Sequence, residues 1–384
     1  MQQTLSVHKG KVDVTPDEVG YDPAMLNRLD DHYSRLIGKG TIQAAGYILS
    51  RHGQIFAHRT LGKLRPTEDS PDLEPDSIRK TYSITKAFTS VAIHQLMDRG
   101  QIFLDQQVSS IIPEFDTDKH RSITIAQLLT HTSGLNGDPG FFQEPFALPW
   151  YEWAVREIKK SGHDISWVRA VLSGPLQNMP GKEWIYSTAG FALLGEIIAK
   201  VSGIAYEQYI ADEILTPLGM SKSGFTVDVT QHEQLCYVNS WELESITPVE
   251  TIDRERPPKA GNGLYSTLEE LCTFGRMMLG GGEWNGTRIL SRRAVELQTS
   301  NQLNGVLFNG WGERSKDTKY GLGWSLNHDD ICSKGTYSHE GFGHSGLYID
   351  PVEDLVFAFF VPGLKGYTNE SVVIPRAIVW SGLL

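Results

Sequence analysis

Residues 84–100 read ITKAFTSVAIHQLMDRG, and this stretch limits the fold more than any other. Its apolar residues fall at 84, 87, 88, 91, 92, 93, 96 and 97. On a helix that set covers most of the circumference, so the spacing predicts a largely buried helix, stopped by Gly100. With 384 residues the chain exceeds what one hydrophobic core usually serves, and two lobes are expected.

The pattern around this helix suggests how the lobes are made. Residues 23–37 start with Pro23 and carry Met25, Leu26, Leu29 and Leu36 at helical spacing. GYILSRHGQIFAHRTLG holds two β-rich runs around His52-Gly53, a hairpin signature. Residues 66–76 have loop composition. From 84 to about 255 the signals are mainly helical: TIAQLLTH, SWVRAVL, TAGFALLGEIIAKVSG and AYEQYIADEIL. After Gly261 mixed structure returns, with TLEELCTFGRMML as a helix and YGLGWSL, GHSGLYI and DLVFAFFV as strand candidates. ESVVIPRAIVWSGLL reads as a closing helix interrupted at Pro375. The simplest assembly is an α/β lobe from residues 1–83 and 256–384, with a helical lobe of residues 84–255 inserted and a site at the seam.

The buried helix carries a lysine, Lys86, three residues after Ser83. The same Ser-x-x-Lys spacing recurs at Ser77–Lys80 and Ser6–Lys9. Residues three apart share a face on a helix, about 4.5 Å apart along the axis. On a strand they point to opposite faces, roughly 10 Å apart. Ser6 and Lys9 lie in a polar tail, expected to be loose. SIRKTY alternates like a strand, which turns Lys80 away from Ser77. Ser83 stands at the helix start, where the dipole and free N–H groups favour negative charge. Serine is also a favoured N-cap, and capping is the plainer account of Ser83. An unpaired ammonium among Ile84, Ala87 and Phe88 is costly, which favours a functional reason for Lys86.

Two further segments carry chemistry. Tyr186-Ser187-Thr188 opens another apolar helix, where tyrosine alone reads as core packing. GHSGLYI places His344-Ser345-Gly346 on a strand whose glycines suggest close approach of a ligand or backbone. Taken in order, Ser83-Ile84-Thr85-Lys86, Tyr186-Ser187-Thr188 and His344-Ser345-Gly346 resemble the serine β-lactamase and penicillin-binding family. The likeness is to its class C branch of β-lactamases, DD-carboxypeptidases and family VIII carboxylesterases, whose pattern is Ser-x-x-Lys, Tyr-x-Asn and Lys-Thr-Gly or His-Thr-Gly. GQIFLDQQVSSIIPEF, ITIAQLLTHTSGL, LTPLGM, AGNGLYSTLEEL and YGLGW extend the likeness along nearly the whole chain.

The resemblance implies a β-lactamase/transpeptidase-like α/β (α+β) fold: an antiparallel sheet flanked by helices, plus an inserted, mainly helical lobe. It implies that Ser83 attacks a carbonyl and forms an acyl-enzyme, with Lys86 or Tyr186 as base and Tyr186 as proton donor to the leaving group. The oxyanion hole would use the backbone N–H groups of Ser83 and Leu347. His344 and Ser345, with Gly346, would bind a substrate carboxylate or tune the Lys86–Tyr186 pair; a packed strand histidine is the plainer account of His344. Thr188 departs from the usual Asn, and His344 from the Lys. Both weaken the case for an efficient β-lactamase.

Other features bound the function. Net charge is −11, which argues against a nucleic-acid partner. Cysteines at 236, 272 and 332 suggest neither a disulfide framework nor a metal site. His339, Glu340 and His344 match a zincin only superficially, and no G-x-S-x-G elbow occurs. No cofactor is expected. No apolar leader or membrane-length run is seen, so a cytoplasmic protein is expected. Residues 139–153, PGFFQEPFALPWYEW, line an apolar pocket over Ser83 or pack between the lobes. The leading expectation is hydrolysis of small esters or amides. A DD-carboxypeptidase or β-lactamase, and a non-catalytic binding module, are the alternatives.

Overall fold

The computed structural model describes residues 5–138, 149–239, 242, 256–310, 313–326, 330–363 and 368–384. At its centre is a six-stranded sheet. Its strands are β1 (Val7–Lys9), β2 (Ala44–Arg51), β3 (Gln54–Gly62), β5 (Tyr337–Gly341), β6 (Ser345–Asp350) and β7 (Leu355–Phe360). The short strand β4 (Ile78–Lys80) lies outside it. The order is β1-β3-β2-β7-β6-β5, and every pairing is antiparallel. Both ends of the chain therefore build one sheet, and the helices between them form the inserted lobe.

The apolar run of β7 shows why the sheet lies between two layers. Val356, Ala358 and Phe360 enter one core, and Leu355, Phe357 and Phe359 enter the other. Successive side chains of a strand point to opposite faces, so a strand covered on both sides is apolar at every position. One face carries α1 (Pro23–Gly38) and α5 (Val373–Trp380). The other carries α4 (Leu268–Leu279), which passes the core on to α2 (Thr85–Asp98). The rings of Phe88 and Phe274 stack there with centroids 3.8 Å apart. Every residue of α2 from Thr85 to Leu96 is inside the protein, as its all-round apolar pattern requires. Gly100 follows at φ 69°, the left-handed stop.

Several local expectations need correction. The Ser6–Lys9 segment is not loose: β1 pairs with β3, Val7 opposite Leu61. YGLGW forms no strand; Tyr320 and Ser325 make an isolated bridge around a tight bend. Pro375 does not interrupt the last helix. It lies in the first turn of α5, where the missing N–H has no intrahelical acceptor to lose. The aromatic stretch 139–153 lies outside the described residues up to 148, and Trp150–Trp153 begin a helix. Among the described residues, no single helix is long and apolar enough to cross a membrane.

Candidate active site

The chain reaches Ser83 along β4, held between Leu235–Cys236 and Tyr265–Ser266. Lys80 thus ends an approach strand, and Ser77 stands just before it. Thr81 is then anchored twice to the Leu264 carbonyl, by its N–H at 2.8 Å and its hydroxyl at 2.9 Å. Tyr82 takes φ 50°, a left-handed conformation that strains a bulky residue. Its hydroxyl donates to Glu242, and its ring meets Phe342 edge-on at 5.5 Å. These contacts hold the turn that presents Ser83 in a 3₁₀ segment, Tyr82–Ile84, just ahead of α2. Ser83 does not cap the helix; Ile84 is the N-cap and no side chain caps it.

One turn on, Lys86 is fully buried. Its ammonium nitrogen donates to Ser83 Oγ at 3.0 Å, Thr188 Oγ1 at 3.0 Å and the Gly261 carbonyl at 2.7 Å. A side chain at Gly261 would meet Thr188 Cγ2 at 2.4 Å, so only glycine lets that carbonyl come so close. Burial lowers the Lys86 pKa to about 8, while the Asp138 carboxylate pulls it back up.

Tyr186 completes the group. Its hydroxyl is hydrogen-bonded to Ser83, and burial holds its pKa well above the usual value. Its ring lies 4.8 Å from Lys86 Nζ. The position is fixed by α3 (Thr188–Ser202): Ser187 caps that helix and donates to the Asn136 carbonyl at 2.7 Å. His131 packs on Tyr186 at 4.4 Å and accepts from the Ser187 N–H at 3.1 Å. Burial keeps His131 neutral, its pKa pushed well below the ordinary value.

The structure brings Ser83, Lys86, Tyr186 and Thr188 together. The His344 segment sits differently. His344 occupies the turn between β5 and β6 at φ 64°, and burial, then the charge of Arg79, lowers its pKa to about 4. Ser345 donates to the Thr81 carbonyl at 2.9 Å and so braces the approach to Ser83. A side chain at Gly346 would run into the Phe359 ring at 2.3 Å. Leu347 lies on an inner strand, opposite His339 on one side and Ala358 on the other, so its amide belongs to the sheet. The assignment of Leu347 to an oxyanion hole does not fit that position.

Instead β5, the sheet edge, borders Ser83. A side chain at Gly341 would lie 2.1 Å from the Thr81 carbonyl oxygen. His339, on the same strand, is buried and within reach of the Lys86 charge; its pKa falls to about 3, first by burial and then by Lys86. Sequence reasoning weighed His339 only as part of a metal motif and assigned no role to Gly341, Gly261, His131 or Asp138. For His339 and Gly341 a signal existed, because His339-Glu340-Gly341 repeats the His-x-Gly spacing of His344-Ser345-Gly346. Among the described residues, no three His, Cys, Asp or Glu side chains gather as metal ligands.

The fold is that of β-lactamase/transpeptidase-like proteins. The chain belongs to the Beta-lactamase family, whose model matches residues 29–375. It is similar to Protein flp of Staphylococcus aureus (strain MW2), 32% identical over 216 residues, which is 55% of this chain and 40% of that protein. The chain thus spans well under half the length of that relative. The Putative D-alanyl-D-alanine carboxypeptidase of Escherichia coli (strain K12) is 22% identical over 381 residues, covering 89% of this chain and 83% of that protein. In fold, a family VIII carboxylesterase matches with a TM-score of 0.72 at 18% identity, covering 97% of this chain and 100% of the other.

Proposed function

We propose that this chain hydrolyses small esters or amides with an uncharged acyl group, through an acyl-enzyme on Ser83. The observation that carries the reading is the buried Lys86 nitrogen, 3.0 Å from Ser83 Oγ, in surroundings that depress its pKa. Tyr186, in the same pocket, is pushed the opposite way. Two groups driven apart in this manner take opposite roles: Lys86 is the base and Tyr186 the acid.

Neutral Lys86 takes the Ser83 proton as Oγ attacks the carbonyl. The oxyanion is held by the Ser83 N–H and an edge amide of β5. The N–H and carbonyl of Ser338 pair outward with Ser325, at 3.0 and 2.9 Å. The Gly341 carbonyl at the end of β5 accepts from the His344 N–H at 3.1 Å, so across the same trans peptide the N–H of Phe342, the residue just past β5, faces the other way and is the second donor. Tyr186 gives its proton to the leaving alkoxide or amine. The resulting phenolate then takes a proton from water, and the hydroxide attacks the acyl group. As the acid departs, Lys86 returns the proton to Ser83, and all three groups are restored.

Burial leaves both His339 and His344 neutral, so neither supplies a fixed cation for a substrate carboxylate. A lost charge-assisted contact corresponds to about 10–100-fold in affinity. Short p-nitrophenyl esters, nitrocefin and a fluorophosphonate probe test the reading together. Ester turnover with the probe on Ser83, and nitrocefin at least about 10-fold slower, is expected. No turnover and no label on Ser83 defeats the proposal; nitrocefin as the better substrate replaces it with a β-lactamase. Release of a terminal D-alanine is the second reading, favoured by the relative matched along 89% of the chain. A D-Ala-D-Ala peptide in the same panel decides it.

The β5 edge supplies a further prediction. In Gly341→Ala the new methyl meets the Thr81 carbonyl and moves the edge strand away from Ser83. A displacement of about 1 Å costs on the order of 10²-fold in rate, and overpacking costs about 1–3 kcal/mol. Measured kcat/KM and urea unfolding should show both; wild-type turnover would remove β5 from the oxyanion site.

A further inference from the structure

We propose that Asp138 is a positioning residue that, through Thr188, aims the Lys86 lone pair at Ser83. This rests on the reading of Lys86 as the base.

The inference follows from counting protons. Asp138 accepts from both donors of Thr188: the N–H at 2.9 Å and the hydroxyl at 2.5 Å. A threonine hydroxyl has one proton. With that proton on Asp138, Thr188 Oγ1 can only accept, and it accepts from Lys86 at 3.0 Å. The Gly261 carbonyl, 2.7 Å from Lys86, also can only accept. Two of the three directions around Lys86 Nζ must therefore be N–H bonds. When Lys86 is neutral, its lone pair has one direction left, towards Ser83 Oγ. Without Asp138 the Thr188 hydroxyl is able to rotate, donate to the Lys86 lone pair and compete with Ser83.

The same count explains the departure from Tyr-x-Asn. An asparagine carbonyl oxygen can accept but not donate, so an asparagine held with that oxygen towards Lys86 enforces this direction without a further group. Thr188 needs a carboxylate behind it, and Asp138 is that carboxylate. The Asp138 backbone N–H donates to the Tyr186 carbonyl at 2.8 Å, which ties the device to the proposed acid. Among the described residues, Asp138, Tyr186, His131 and His339 are the titratable groups that act on Lys86 or lie against it. Asp138 is the one whose charge raises the Lys86 pKa.

Asp138→Asn replaces one acceptor oxygen by an NH₂ donor, so it cannot take both Thr188 protons. With p-nitrophenyl acetate, kcat should fall about 10- to 100-fold at little change in KM. The acidic limb of the pH profile should move to lower pH, because the charge that holds the Lys86 proton is gone. In a Thr188→Asn background the same substitution should cost less than about threefold, since the asparagine carbonyl no longer depends on residue 138. Thr188→Val, which keeps the side-chain shape, serves as a second variant: its loss and that of Asp138→Asn should not add. An unchanged kcat and acidic limb in Asp138→Asn overturns the proposal. So does an equal loss in the Thr188→Asn background, or additive losses with Thr188→Val. Nitrogen-15 NMR titration of Lys86 needs no substrate. If the wild-type protein turns over no ester, the proposed function fails, and an unmoved Lys86 midpoint in Asp138→Asn separately overturns this inference.

Discussion

Ser83→Ala is expected to lower ester turnover by about 10⁴-fold or more while leaving the fold intact. The first part follows from chemistry, because among the described residues no other hydroxyl is held 3.0 Å from Lys86 with Tyr186 bonded to it as well. Thr188 Oγ1 is as close to Lys86, but its proton is held by Asp138. The second part follows from placement. Ser83 caps no helix, and among the described residues its side-chain bonds go to the two groups proposed to react with it. Removing the hydroxyl frees one Lys86 donor, a change of about 1 kcal/mol, or roughly 1 °C in Tm for a chain of this size. The strain at Tyr82 remains in this variant. A bulky residue held at φ 50° directly before the nucleophile is the kind of local cost that persists where geometry serves chemistry. Steady-state kinetics and a thermal melt check both halves. A Ser83→Ala protein that turns over esters normally moves the nucleophile elsewhere, and one that keeps its biological effect without turnover favours a binding module of the same fold.

The features readable from the sequence were those fixed by short-range periodicity. The all-round apolar pattern of α2 located the buried helix, and the two-residue alternation of SIRKTY separated Ser77 from Ser83. Tyr186 followed from order along the chain. The misplaced features depend on pairing between distant segments. Nothing local in GHSGLYI tells whether it is an edge strand or an inner one. That is set by Leu355–Phe360 pairing on its other side, which buries Leu347 and leaves His339–Gly341 at the edge. Asp138 sits 50 residues from Thr188, in a segment without periodicity, and meets it only through the packing of α3. The Ser6–Lys9 segment looked like a loose tail because three residues carry too little pattern to mark a strand; β3 supplies the partner.

Lys86→Met should be the other large effect, with turnover down about 10²- to 10⁴-fold and the pH profile changed in kind. In the wild-type protein, burial lowers the Lys86 pKa to about 8. Below that pH the nitrogen carries a third proton and cannot accept the one on Ser83. Thus kcat/KM should fall about tenfold per pH unit below 8 and level off above it. Tyr186, held well above its ordinary value, keeps its proton across this range. Lys86→Met should lack the limb near pH 8 altogether, and Lys86→Arg should be as inactive, because a guanidinium stays charged. Stability carries the same signature with its own sign. The folded pKa lies below the unfolded one, so between about pH 8 and 10.5 the unfolded chain binds more protons at this site. Stability contributed by this group therefore rises with pH through that window and is least favourable below it. Melting curves from pH 7 to 10 should show that rise in the wild-type protein and its loss in Lys86→Met. A limb near pH 8 that survives in Lys86→Met would transfer the base role to another group, whereas loss of limb and stability slope together ties both to one buried nitrogen.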